Sequence, residues 1–289
     1  MVRIFALALL FLCGSSSLAQ RQTWAAPWDA YFLPLGYQPS SGCVVDASFR
    51  IANYLSFDEG TWGSINTDLE VWTLRLGIAQ RTQIGEWSAS LPLSLAWGGI
   101  LDPPLNAFHR LLGVGVSPEP PLSEIRYNLT GGSARTVSGT RFGVGDLSLA
   151  WAYPLEPFWV RVTLGIPLGD SNRFLGAGGW RVQFSAGLEQ ARYGGLFALL
   201  VPLGRVELFE PFGALPSVQA QAWVQPFYIP VRLELHLNTS PVRVGGQFAS
   251  TTLALRVVWQ TSAGAWTFGE DITPTLPDIV LGWEGRFGC

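Results

Sequence analysis

The segment from Trp87 to Trp97 places Trp87, Ala89, Leu91, Leu93, Leu95 and Trp97 on one face of an extended chain, with Ser88, Ser90, Pro92, Ser94 and Ala96 on the other. This period of two is the side-chain spacing of a strand. The same alternation returns about twelve times along the 289 residues, in stretches near the roughly ten residues that a tilted strand needs to cross a bilayer. The connectors take turns being tight (81–83, 154–157, 190–192, 226–227, 261–264) and long (56–67, 98–140, 169–178, 204–215, 239–247), and only the short stretch 273–276 breaks the order. A secreted β-sandwich also alternates, but its strands average about 5–6 residues. The pattern therefore predicts an all-β fold, a transmembrane antiparallel β-barrel of about twelve strands with short periplasmic turns and long extracellular loops.

The start of the chain fits that destination. Arg3, the apolar run Ile4 to Leu12 and the small residues before Gln20 read as a signal peptide over residues 1–19. Nine apolar residues fall short of the roughly 20 that a spanning helix needs. Residues 20–42 are rich in aromatics and Pro and show neither period. They are expected to form an extension, packed at the periplasmic mouth or folded into the lumen, ahead of a barrel over residues 43–289 whose long extracellular insertion is 98–140. Within that insertion Leu105, Phe108, Leu111 and Leu112 follow Pro103-Pro104 at helical spacing.

Composition excludes several classes. Charged residues are only 13% of the chain against about 25% in soluble domains, and every one of the 18 basic residues is Arg. No basic run suggests nucleic acid. Thirteen Trp suit the aromatic girdles of a membrane barrel. Two His and three scattered Cys offer no metal-ligand spacing, and no cofactor motif is present. The partners expected are outer-membrane lipid and lipopolysaccharide, the outer-membrane assembly machinery and a small-molecule solute.

One loop carries a family likeness. Pro167, Gly169, Asp170, Ser171, Arg173, Gly176, Gly178 and Gly179 form a P-x-G-D-S-x-R-x-L-G-x-G-G pattern. It resembles a loop of an uncharacterised family of Gram-negative outer-membrane β-barrel proteins. Gly145-Asp146-Leu147, Phe108-His109-Arg110, Glu270-Asp271-Ile272 and Pro277-Asp278-Ile279-Val280 fit the same family in order and spacing. A more distant similarity links the loop to the barrel family of phenol-degradation gene clusters. The resemblance implies a barrel of this size in the outer membrane of a Gram-negative-type bacterium, and carries over no catalytic residue or ligand. The ending Phe287-Gly288-Cys289 departs from the terminal aromatic residue usual in such barrels.

The inward phase holds the informative side chains. Arg50, Arg75, Arg161, Arg181, Arg232, Arg256 and Arg286 share it with Asp46, Glu86, Asp146, Glu189, Glu234, Asp271, Asp278 and Glu284, beside His236. Selective pores show one dominant sign, whereas a near balance suggests ion pairs across a narrow lumen, with a substrate-binding constriction as the competing reading of the same charges. His236, Asn238 and Ser240 line one face as a hydrolase would want, but on the lumen side with Arg232 and Glu234, so no catalytic residue is assigned and the chain is not expected to be an enzyme. Cys43 opens the first strand and Cys289 ends the last. An even strand number would bring them to one rim, where a disulfide can form. The function expected is a narrow channel or binding barrel for a small solute. The competing readings are a structural or adhesive barrel with a closed lumen and a lipid-modifying outer-membrane enzyme.

Overall fold

The computed structural model describes residues 29–37, 42–61, 63–112, 123–129, 134–209, 213–226, 229–239, 241, 251–271 and 279–289. The signal peptide, Ser240, Asp278 and the loop 273–276 lie outside the described residues, as does the side chain of Asp271.

Among the described residues fifteen strands form one antiparallel sheet: β1 (Cys43–Gly60), β2 (Gly63–Thr82), β3 (Gly85–Trp97), β4 (Glu124–Leu129), β5 (Ala134–Ser138), β6 (Arg141–Val144), β7 (Leu147–Leu155), β8 (Phe158–Ile166), β9 (Arg181–Glu189), β10 (Tyr193–Pro202), β11 (Ser217–Val224), β12 (Val231–Thr239), β13 (Thr251–Thr261), β14 (Gly264–Asp271) and β15 (Ile279–Gly288). β1, β2, β3 and β7 through β15 pair in sequence order, and β1 pairs β15 over Val44–Asn53, so the sheet closes on itself as a twelve-strand barrel. Closure leaves no edge, and that is what permits a sheet in lipid.

The polarity is inverted relative to a soluble core. Leu76, Ile78, Phe184, Phe197, Leu235, Val257 and Phe268 are among the large apolar side chains left exposed on the outside, whereas Arg50, Thr163, Gln183, Gln219 and Glu234 are buried inside. A lipid face tolerates the first set and a filled lumen satisfies the second.

Two expectations about loops need correction. Residues 56–67, read as a long loop, are mostly strand: β1 and β2 stay paired up to Gly60 and Gly63 as an arm rising past the barrel. Residues in this stretch alternate poorly because, beyond the bilayer, neither face is bound to be apolar. The insertion 98–140 likewise is not loop throughout. It contains the helix α1 (Asp102–Leu112), where the helical spacing of Leu105, Phe108, Leu111 and Leu112 predicts one, and the unexpected hairpin β4–β5, which pairs to β2 over Gly63–Asp68 and widens the arm.

Between β6 and β7 lies a bulge. Ser90 pairs Ser148, but Leu93 pairs Val144, so one extra residue sits on the β6–β7 side, with Gly145 N–H bonded to Pro92 O at 2.8 Å. A bulge of this kind reverses the phase of the strand beyond it.

Candidate functional site: the plugged lumen

The lumen is occupied by the chain's own N-terminal segment. Tyr31, Phe32, Leu33, Leu35 and Tyr37 are all buried inside the barrel. Leu35 and Tyr37 pack with Ala152, Trp159, Leu196 and Ala198, which explains why β10 is apolar on both faces. Burial contributes about 1.5–3 kcal/mol for each large side chain. That is of the same order as ordering the segment, at about 1–2 kcal/mol per residue. Charged and polar hydrogen bonds therefore decide the outcome. Arg161 donates to Gly36 O, Gln183 to Pro34 O at 3.1 Å, and Arg181 to Ala30 O at 3.0 Å. Because Arg181 sits at the long-loop end of β9, opposite Gly165, and Arg161 lies four residues further down, opposite Ser185 in mid-strand, the segment runs along the lumen from the long-loop side toward the short-turn rim, where β1 begins. Gly165 makes room for this course, since a Cβ there would meet Arg181 Nη2 at 2.8 Å and Leu33 at 2.9 Å.

The lumen charges fall into three groups. On β12, Glu234 lies 2.7 Å from Arg232, 3.4 Å from Arg256 on β13 and 3.0 Å from His236, and accepts from Gln221 at 2.9 Å. His236 is thus part of a buried polar cluster within the wall, beside Asn238, which accepts from Gln219 at 3.1 Å. Across the β1–β15 seam Arg286 pairs Asp46 at 2.8 Å and approaches Glu86 at 3.9 Å. Nearer the long loops, Arg181 pairs Asp146 at 2.7 Å. Glu284 is buried inside the barrel, while Glu189 ends β9 half-buried at the short-turn rim. Cys43 and Cys289 are joined by a disulfide, their Cα atoms 5.4 Å apart. Among the described residues, no group of three or more His, Cys, Asp or Glu side chains is placed to hold a metal ion.

Asp146 also explains the glycine-rich loop. Its Oδ1 accepts from Leu168 N–H at 3.1 Å and Gly169 N–H at 2.9 Å, and its Oδ2 from Ala177 N–H at 2.8 Å. These bonds fold residues 167–179 down over the lumen. Gly169 and Gly176 lie against each other at a separation that a Cβ on either would prevent. Asp170 caps the short turn Ser171–Arg173 by accepting from Asn172 N–H at 2.9 Å, and Ser171 donates to Glu207 at 2.7 Å. Phe174 follows in a left-handed conformation with φ of 59°, under the Arg135 guanidinium. Arg173 is exposed, Gly178 and Gly179 pack on Glu207 and Val206, and Pro167 leads in from β8.

Beneath this roof, between the plug and the β1–β3 wall, a cavity of about 60 Å³ remains. Phe32, Leu33, Leu69, Val71, Ile125, Phe174 and Leu175 give it apolar walls, and Arg50, Arg75, Arg141 and Arg181 line it beside Asp146. Arg141 is missing from the sequence-derived set. Alternation carried back from β7 would aim it at lipid, and the bulge at Gly145-Asp146 turns it inward instead. The outward side chains of Phe142 and Val144 were the available signal.

No protein-family model matches the chain, and no curated protein matches it. Among solved structures, an outer membrane channel from Pseudomonas putida F1 aligns with a TM-score of 0.50 and 13% identity over 90% of this chain and 99% of that one. The translocator domain of the autotransporter NalP from Neisseria meningitidis aligns at 0.39 and 9% identity, over 87% and 90%. The first likeness is one of fold and places this chain among outer-membrane-type barrels; the second is too low to bear on the argument.

Proposed function

We propose that the protein sits in the outer membrane and binds or passes a small solute through a lumen that its N-terminal segment narrows. One observation carries this reading. The segment fills the lumen only in part, leaving a walled cavity on the long-loop side of the barrel between Phe32 and the strand wall. A barrel that served only as a scaffold has no need of such a space, whereas pockets with mixed polar and apolar walls are the common form of a ligand site. The closed-barrel reading draws its support from the complete burial of the plug. Single-channel recording separates the two. Wild type is expected to show small, rare currents, and deletion of residues 30–37 is expected to raise conductance severalfold. A barrel that stays silent in both forms would favour the structural role.

A further inference from the structure

The cavity holds more positive charge than its own acid can balance. Four arginines and one carboxylate line it, and that carboxylate, Asp146, is already shared among three backbone N–H groups and Arg181. Arg141 is 3% exposed, donates from Nη1 to Val137 O at 3.0 Å, and among the described residues has no partner for Nε or Nη2. Arg75, among the same described residues, has none for Nε or Nη1. Among the described residues neither side chain makes an ion pair. Elsewhere in the lumen Glu234 and Asp46 each hold an arginine.

We propose that Arg75 and Arg141 form the head-group site for a small organic anion, a carboxylate above all, whose apolar body lies against Phe32, Val71, Ile125 and Phe174. The inference deepens the solute-barrel reading and rests on it. A guanidinium presents a planar fork of donors that matches a carboxylate, and such charge-assisted bonds strengthen where water is excluded. The donors left open are those a bound carboxylate would fill. The apolar walls are what a bare ion such as phosphate would not use. The bulge at Gly145-Asp146 serves the site twice: it turns Arg141 inward, and it sets Asp146 to hold the roof that carries Phe174. Bulges beside functional sites commonly re-aim side chains in this way.

Calorimetric titration of the folded, detergent-solubilised full chain tests the proposal, with hexanoate as probe and 1-hexanol, acetate and inorganic phosphate as comparisons. Hexanoate is expected to bind saturably, and each comparison at least tenfold more weakly. Arg75→Gln and Arg141→Gln are each expected to weaken hexanoate tenfold or more, and Arg75→Lys to recover part of the loss. Heat-modifiable migration on gels verifies that each variant is a folded barrel. Equal affinity for 1-hexanol and hexanoate, or unchanged hexanoate binding in the Arg75→Gln, Arg141→Gln double variant, would overturn the site. Phosphate binding as tightly as hexanoate would remove the apolar body from it. If hexanoate fails while deletion of 30–37 opens the barrel, the site falls and the solute reading stands. If hexanoate binds and neither form conducts, passage falls and the site stands.

Discussion

At the scale of single residues, the lumen separates side chains that hold the wall together from those left for something else. Glu234 is 1% exposed and gathers Arg232, Arg256, His236 and Gln221 around one carboxylate. Removing one partner of a buried ion pair leaves the other charge stranded, at a cost of about 3–5 kcal/mol. Glu234→Gln keeps the shape and removes the charge. The variant is expected to unfold at clearly lower temperature in a heat-modifiability series, while Glu189→Gln at the half-buried rim stays near wild type. Equal midpoints for the two would show that the cluster does not support the wall. Arg75 and Arg141 belong to the other class, because among the described residues neither is paired with an acid.

At the scale of strands and loops, the outward face follows from alternation alone. Leu74, Leu76 and Ile78 on β2 and Leu233 and Leu235 on β12 are all exposed in the phase that their sequence predicts. A charge at the bilayer midplane costs a barrel about 2–4 kcal/mol. Leu76→Arg is accordingly expected to reduce the heat-modifiable, membrane-extracted fraction sharply, and Leu76→Ala much less. Tolerance of both would reject the assigned face. Strand number, phase and the seam between first and last strands were legible because each strand repeats one local rule. What escaped was whatever broke the rule. The bulge before Asp146 inverts β6, and the switch of the apolar phase from Leu147 and Leu149 to Phe142 and Val144 was the single trace of the inserted residue. The arm of β1, β2, β4 and β5 lies beyond the lipid and so lost the apolar signal. The plug at 29–37 has no period at all; its aromatics marked it as a packing segment, but only tertiary contacts decide that it enters the lumen. The near balance of inward charge was visible in the sequence. Its uneven distribution was not, since that depends on which side chains meet across the lumen.

At the scale of the whole molecule, closure depends on one seam joining the two ends of the chain. β1 and β15 pair over ten residues, from Val44 opposite Gly288 to Asn53 opposite Ile279. At the end of that ladder the Cys43–Cys289 disulfide spans 246 residues of sequence, and Cys289 N–H donates to Cys43 O at 3.2 Å. A cross-link of such reach restricts the unfolded chain and can contribute up to about 5 kcal/mol. The same place anchors the plug, because Gly42 O accepts from Arg81 N–H at 3.0 Å just before the bonded cysteine. The seam ladder is complete without the sulfurs, so Cys289→Ser is expected to fold and insert. Its unfolding midpoint should fall, and reduction of wild type with dithiothreitol should reproduce the shift while leaving the variant unchanged. With the cross-link gone, only the backbone pairing of Gly42 and Cys43 holds the root of the plug, and channel recordings of Cys289→Ser are expected to show more frequent openings than wild type. A midpoint and an opening frequency both equal to wild type would mean that the backbone ladder alone closes the barrel and holds the plug.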